Sequence, residues 1–280
     1  VITHGLPQPQ NLELAREMEK QIRDNGATPA TIALLDGKIR LGLSDAELIR
    51  LSELDTSLKV SHRDFATAIT KKQNGGTTVA GTMLAANMAG IKVFATGGIG
   101  GVHKESAFDI STDLHALSET PMIVVCAGAK SILDLPATLE YFETMGVSVV
   151  GYQTDEFPAF YSRESGLNVS VRLDSPKDIA EFAKVHWSLG LRSAILVTNP
   201  IPQAESIPAS KMEPMIAKAS KEAVEQGIHG QALTPFLLNR INELSKGKSL
   251  KANLALLLNN ACLAAEIAKE MTVRKKEWAI

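Results

Sequence analysis

The feature that most constrains this chain is a recurring pair of patterns. Short, wholly apolar runs at 91–95, 122–126, 147–151 and 194–197 each end in small residues or a turn, and helical periodicity follows. A run of four or five apolar residues is too short for a core helix and suits a strand buried on both faces. Strands alternating with helices give βαβ units, so the pattern predicts an α/β protein with a largely parallel, doubly covered sheet. The last third reads as helix, over 234–246 and the long 249–269. No internal repeat, low-complexity stretch or linker interrupts residues 1–280, which read as one domain.

The N-terminal part has its own signature. Leu12, Leu14, Ala15, Met18 and Ile22 fall at helical spacing between Asn11 and Asn25, with Gly26 as a stop. Runs at 30–35 and 38–43 flank Asp36-Gly37, the pair favoured where a type I′ turn needs two positive φ angles. A β-hairpin follows, with Pro29 placed where its missing N–H costs no ladder bond.

Bulk properties exclude several function classes. The net charge of −2 comes with scattered basic residues, so no extended field draws in nucleic acid or an anionic membrane. No apolar run approaches the roughly 20 residues that span a bilayer, and no signal-like segment leads the chain. Cys126 and Cys262 lie far apart in apolar surroundings, which fits neither a disulfide framework nor zinc spacing and suits a reducing cytoplasm. The chain opens on Val1-Ile2 with no turn signal ahead of it, and we expect a segment upstream.

Several segments carry candidate chemistry. In Val124-Val125-Cys126-Ala127-Gly128-Ala129-Lys130-Ser131 a lysine stands just past a buried strand, where ligands of open α/β sheets bind. Apolar neighbours favour the neutral amine, as an addition nucleophile requires; a solvated lysine opening the next helix has the same spacing. Ala95-Thr96-Gly97-Gly98-Ile99-Gly100-Gly101-Val102-His103 contains Gly98-x-Gly100, but His103 replaces the third glycine of a dinucleotide fingerprint. A nest for a phosphate or sugar is the better expectation, with His103 an acid or a satisfied loop residue.

Asp109 and Asp113 are four apart and share a face if that segment is helical. They suit a hard divalent ion such as magnesium or manganese, or a helix start capped by Ser111. The segment from Asn74 to Val79 offers backbone amides at a helix start, and Lys59 to Asp64 offers compact positive charge for a phosphate, or else a solvated basic turn. Asn253 and Asn260, seven apart, share one face of the last helix and need partners, either substrate or another backbone.

Taken together these segments resemble the pseudouridine-5'-phosphate glycosidase family, which includes proteins associated with indigoidine synthesis. The likeness runs nearly end to end. It takes in His4-Gly5-Leu6-Pro7, Ala27-Thr28-Pro29-Ala30, Gly76-Thr77-Thr78-Val79, the glycine-rich stretch to His103, the lysine segment, Gly151-Tyr152-Gln153-Thr154, Asn199-Pro200-Ile201-Pro202 and Thr234-Pro235-Phe236-Leu237-Leu238. The resemblance implies a three-layer α/β/α fold, a homotrimer, a divalent metal that is commonly manganese, and a small nucleotide substrate. It makes Lys130 the covalent nucleophile, Asn253 an active-site asparagine, and Lys59, Val79, Ser111, Thr112 and Asp113 substrate-binding residues. Asp109 becomes the metal ligand. Two departures stand out: the family's proton-donating glutamate lies in a Leu-Glu-Ser-Thr segment ahead of the position of Val1, and the stretch from His103 to Phe108 is shorter than the family pattern. A Schiff-base aldolase acting on a sugar phosphate, or a nucleotide-binding module without catalysis, would share the strand-end loops.

Overall fold

The structure, a computed structural model, describes residues 2–54, 57–104, 109–228, 230 and 233–272. Helix α1 (Gln10–Asp24) ends at Asn25, and Gly26 follows at φ 80°, the left-handed stop that its sequence predicts. Strands β1 (Ile32–Leu35) and β2 (Lys38–Leu41) pair antiparallel around Asp36 and Gly37, whose φ angles of 51° and 71° make the turn type I′. The strands are shorter than expected because the chain from 27 to 31 stays irregular.

After α2 (Asp45–Ser52), strand β3 (Leu58–Val60) leads through a short turn into α3 (Phe65–Thr70) and β4 (Gly75–Thr77). These complete a mixed four-stranded sheet ordered β2-β1-β4-β3. Lys59 thus belongs to a strand, with Gly76 as its partner across the ladder, and not to a basic turn. Helix α4 (Val79–Met88) follows at once, capped by the Thr78 hydroxyl, which accepts from the Gly81 amide.

The second sheet is the centre of the molecule. Its strands are β5 (Val93–Ala95), then, beyond the short β6 (Val102–His103) and α5 (Thr112–Glu119), β7 (Ile123–Cys126). The short β8 (Leu133–Asp134), which pairs with β6, and α6 (Leu135–Thr144) separate β7 from β9 (Ser148–Tyr152) and β10 (Val171–Leu173). Helix α7 (Pro176–Ser188) then leads to β11 (Ile195–Thr198). The order is β10-β9-β11-β7-β5 and every pairing is parallel.

Alternation along these strands explains the three layers. Ile123, Val125, Val150, Ile195 and Val197 face one side, where α7 and the C-terminal half of α10 (Lys248–Thr272) cover them through Ile179, Ala183 and Ile267. Val124, Cys126, Val149 and Leu196 face the other and pack with Met83, Leu114 and Phe142 of α4, α5 and α6. That larger core also takes in Ile216 of α8 (Ala209–Glu225) and Leu237 of α9 (Leu233–Leu244). The α/β/α reading of the sequence therefore holds.

One buried amide ties α10 to the strand ends. Asn260, 0% exposed, accepts from Asn199 Nδ2 at 3.1 Å and donates to the Thr96 carbonyl at 2.8 Å. It anchors the loop after β5 to the loop after β11; one partner is a loop carbonyl, where a helix backbone was expected, and the other is the Asn199 side chain. Replacing it strands a buried carbonyl and a buried amide. Asn260→Ala is expected to lower unfolding free energy by about 1–3 kcal/mol, read from urea denaturation; an unchanged midpoint would show that water replaces the amide.

Candidate active site

The site grows from two loops that leave neighbouring parallel strands. Past β7, Gly128 has φ 87°, and a β-carbon there would collide with the Pro158 carbonyl. Only glycine fits that close approach. The β5 and β7 loops then clasp each other. Ile99 N donates to the Gly128 carbonyl and Lys130 N donates to the Ile99 carbonyl, both at 3.1 Å. Ala127 and Ala129 are fully buried beside them, so the lysine backbone is fixed on both sides.

The Lys130 side chain enters a cavity of roughly 730 Å³, within the range of small-molecule sites. Burial pushes its pKa below that of an ordinary lysine; the charge of Asp113 opposes the shift and that of Lys59 adds to it. Desolvation thus favours the neutral amine, the form that attacks an electrophilic carbon.

Asp113 explains why the cavity has a defined shape. It lies in the first turn of α5, where its N–H donates to the capping Ser111 hydroxyl at 3.3 Å. Its two carboxylate oxygens accept from backbone amides of two other elements: Ala80 at the start of α4, at 2.9 Å, and Gly100 in the β5 loop, at 2.8 Å. The group is only 5% exposed. Gly100 must lack a side chain, because a β-carbon would collide with Ser111 Oγ and come within 2.8 Å of Asp113 Oδ2.

This arrangement narrows one sequence expectation and corrects another. In the glycine-rich loop, expected to be a nest for a phosphate or sugar, three amides are spent internally: Ile99 on Gly128, Gly100 on Asp113 and Val102 on the Thr138 hydroxyl. Asp109 and Asp113 do not share a helical face, because α5 begins at Thr112. Asp109 lies outside the helix, opposite His103, whose N–H donates to its carbonyl at 3.0 Å. Residues 105–108, the shortened stretch, fall outside the described residues.

The remaining candidates meet in the same cavity. Lys59 of β3, Val79 at the start of α4, Ser111 and Thr112 at the start of α5, Asp109 and Asn253 of α10 all line it. Thr112 Oγ1 is 2.9 Å from Ser61 Oγ, which joins the small sheet to α5. The Asn253 side chain has no hydrogen-bond partner among the described residues, whereas Asn260 one face-repeat away is fully paired. One lining residue had no signal in the sequence. Phe160 lines the cavity with φ 62°, a left-handed conformation that costs a bulky residue ~1–3 kcal/mol.

Comparison with known proteins agrees with this architecture. The family described as "Indigoidine synthase A like protein" matches residues 1–270. A pseudouridine-5'-phosphate glycosidase of Geobacillus kaustophilus is 53% identical over 274 residues, 97% of this chain and 91% of the relative. The chain belongs to the pseudouridine-5'-phosphate glycosidase family. A family member of the same name from Dinoroseobacter shibae is 55% identical over 270 residues, 96% of this chain and 88% of that one. Among solved structures, an indigoidine synthase A-like protein from Thermotoga maritima superposes with TM-score 0.90 at 37% identity, covering 96% of this chain and 89% of that one. The prealnumycin C-glycosynthase AlnA, in complex with ribulose 5-phosphate, gives 0.88 at 40% identity, with 96% and 88% covered.

Metals were among the sequence expectations for this glycosidase family. Among the described residues no three His, Cys, Asp or Glu side chains cluster, which is a poor donor set for zinc. A single exposed carboxylate, Asp109, at the cavity wall suits a hard cation that keeps several waters and takes further oxygens from a phosphate.

The electrostatics of Lys130 give a measurable sign. Its amine should become reactive toward carbonyl reagents at a pH below that of free lysine, since its pKa is lowered. Removing the positive neighbour with Lys59→Met should move the midpoint upward, and removing the negative one with Asp113→Asn should move it downward. Identical midpoints in a pH series of reductive labelling would exclude this account.

Proposed function

We propose that this protein cleaves and re-forms the carbon–carbon glycosidic bond of pseudouridine 5'-phosphate, interconverting it with uracil and ribose 5-phosphate. The observation that carries the reading is Lys130, an amine with lowered pKa at a fixed point in a largely apolar cavity that also holds Lys59, Ser111, Thr112 and Asn253. The names of relatives more than half identical over nearly the whole chain support it, as does the ribulose 5-phosphate held by AlnA.

A C-glycoside cannot be cleaved by protonating a leaving oxygen or nitrogen, because the base departs from carbon. Opening the sugar ring supplies another route. The bond from the anomeric carbon to the ring oxygen breaks as that oxygen takes a proton, and the Lys130 amine, losing a proton, bonds to the anomeric carbon. The bond to uracil C5 then breaks, its electron pair remaining on uracil and collecting a proton, while nitrogen and the anomeric carbon form an imine. Water hydrolyses the imine to ribose 5-phosphate and restores the amine.

Lys59, Val79, Ser111 and Thr112 hold the sugar phosphate in this scheme, so that binding remote from the reacting carbon is converted into orientation. Asp113 keeps the walls in place and sets a negative charge near the amine, which limits how far its pKa falls. Asn253, with its amide unspent, hydrogen-bonds the opening sugar. Asp109 would hold a divalent metal, manganese in this reading, which shields phosphate charge. The same reading places residues 1–280 within a single glycosidase-like domain of a cytoplasmic homotrimer, which a light-scattering mass of three chains would support and a monomer mass would overturn.

Borohydride with ribose 5-phosphate should label wild type on Lys130. Lys130→Ala should lose the label and release uracil from pseudouridine 5'-phosphate roughly 10³-fold more slowly or worse. Labelling of the alanine variant at wild-type level would displace the lysine, and labelling without uracil release by wild type would favour an aldolase. Chelation, or Asp109→Ala, should raise the KM for the nucleotide; a chelated enzyme at full activity would rule out the metal.

A further inference from the structure

Three consecutive residues of the β5 loop touch three chemically different groups. Gly98 lies against the Phe160 ring, where a β-carbon would come within 2.6 Å of two ring carbons. Ile99 receives the Lys130 amide through its carbonyl. Gly100 donates its N–H to the Asp113 carboxylate and packs on Ser111. The loop therefore runs along the cavity wall with an apolar ring at one end, the Lys130 backbone in the middle and the polar groups of α5 at the other.

The ring is held there against its own backbone preference. Phe160 has φ 62°, its N–H donates to the Ala127 carbonyl at 3.0 Å, and its ring meets Tyr161 edge to face at 4.7 Å. Gly98 and Gly128 both make room for the segment that carries it, the first for the ring and the second for the Pro158 carbonyl. A conformation that other residues adopt only under constraint, held by the Ala127 carbonyl, the Tyr161 ring and Gly98 and, at 3% exposure, lining the cavity, is the kind of feature found at ligand clamps.

We propose that Phe160 is the wall against which the pyrimidine base rests, and so a specificity-determining residue for the base half of the substrate. The inference rests on the reaction proposed above, in which the base and the phosphate leave the sugar in opposite directions from the carbon that Lys130 attacks. With the phosphate end served by Ser111, Thr112 and Lys59, the base lies toward Gly98. An apolar ring suits a planar, neutral heterocycle and offers nothing to a phosphate.

The two half-reactions separate this role from a structural one. Phe160→Leu should raise the KM for uracil in the synthetic direction about tenfold, within what loss of a base–aromatic contact produces. Borohydride trapping of ribose 5-phosphate on Lys130, which needs no base, should stay within about twofold of wild type. An unchanged uracil KM would overturn the proposal, and so would a parallel fall in trapping and uracil use. Should the leucine variant be insoluble, Phe160→Met keeps apolar volume without the ring and is held to the same two readouts. If wild type traps ribose 5-phosphate but never uses uracil, the reaction assignment fails first, and that outcome is distinct from a Phe160 variant with normal uracil use.

Discussion

The site depends on one buried carboxylate. Asp113 carries a charge into a nearly closed position and is compensated by two backbone amides from elements that are otherwise separate, the start of α4 and the loop after β5. Burying a charge without such partners is far too costly, so the three segments must come together for any of them to settle. Their junction positions Val79, Ser111 and Thr112 around one cavity. It also fixes Gly100, and through Ile99 the backbone of Lys130. Asp113 therefore couples the shape of the pocket to the position of the amine, and its charge opposes the burial that makes the amine reactive.

Glycine does here what its abundance in the loops did not reveal. Sequence reading assigned the β5 loop's glycines to a nest of amides for an anion. The geometry also uses the missing side chains. Gly98 admits the Phe160 ring, Gly100 admits Ser111 and Asp113, and Gly128 admits the Pro158 carbonyl. Close packing at these glycines fixes the strand ends, and the proposed reaction would need such a fixed wall for the Lys130 nitrogen to meet one carbon of a substrate.

Much of this was legible in the sequence wherever one local rule decided the outcome. The Asp-Gly turn, the stop at Gly26 and the apolar strands of the parallel sheet obey short-range chemistry, and Lys130 follows from the strand-end rule. What escaped depends on distant partners. Strands β3 and β4 are three residues long, and β4 is Gly-Gly-Thr, with no apolar period to read. Asp109 and Asp113 have helical spacing, but the Ser111 cap starts the helix between them. Asn253 and Asn260 looked equivalent at seven residues apart; only the fold shows that one is consumed by Asn199 and Thr96 while the other lines the cavity. Phe160 gives no hint at all, because phenylalanine has no preference for positive φ.

The division between spent and unspent polar groups is what distinguishes a scaffold from a site in this fold. Asn260, Thr138 and Asp113 are buried and fully engaged, and each holds a loop at the carboxyl edge of the central sheet. Lys130, Asn253 and Lys59 line the cavity without an ion pair or hydrogen bond from their side chains to other described residues. Three such groups within one cavity are a poor use of polar side chains unless a ligand completes them. An amine, an amide and an ammonium match a sugar phosphate better than they match one another. The fold thus spends Asn260, Thr138 and Asp113 on its own walls and leaves Lys130, Asn253 and Lys59 open, the groups that the proposed sugar phosphate would fill.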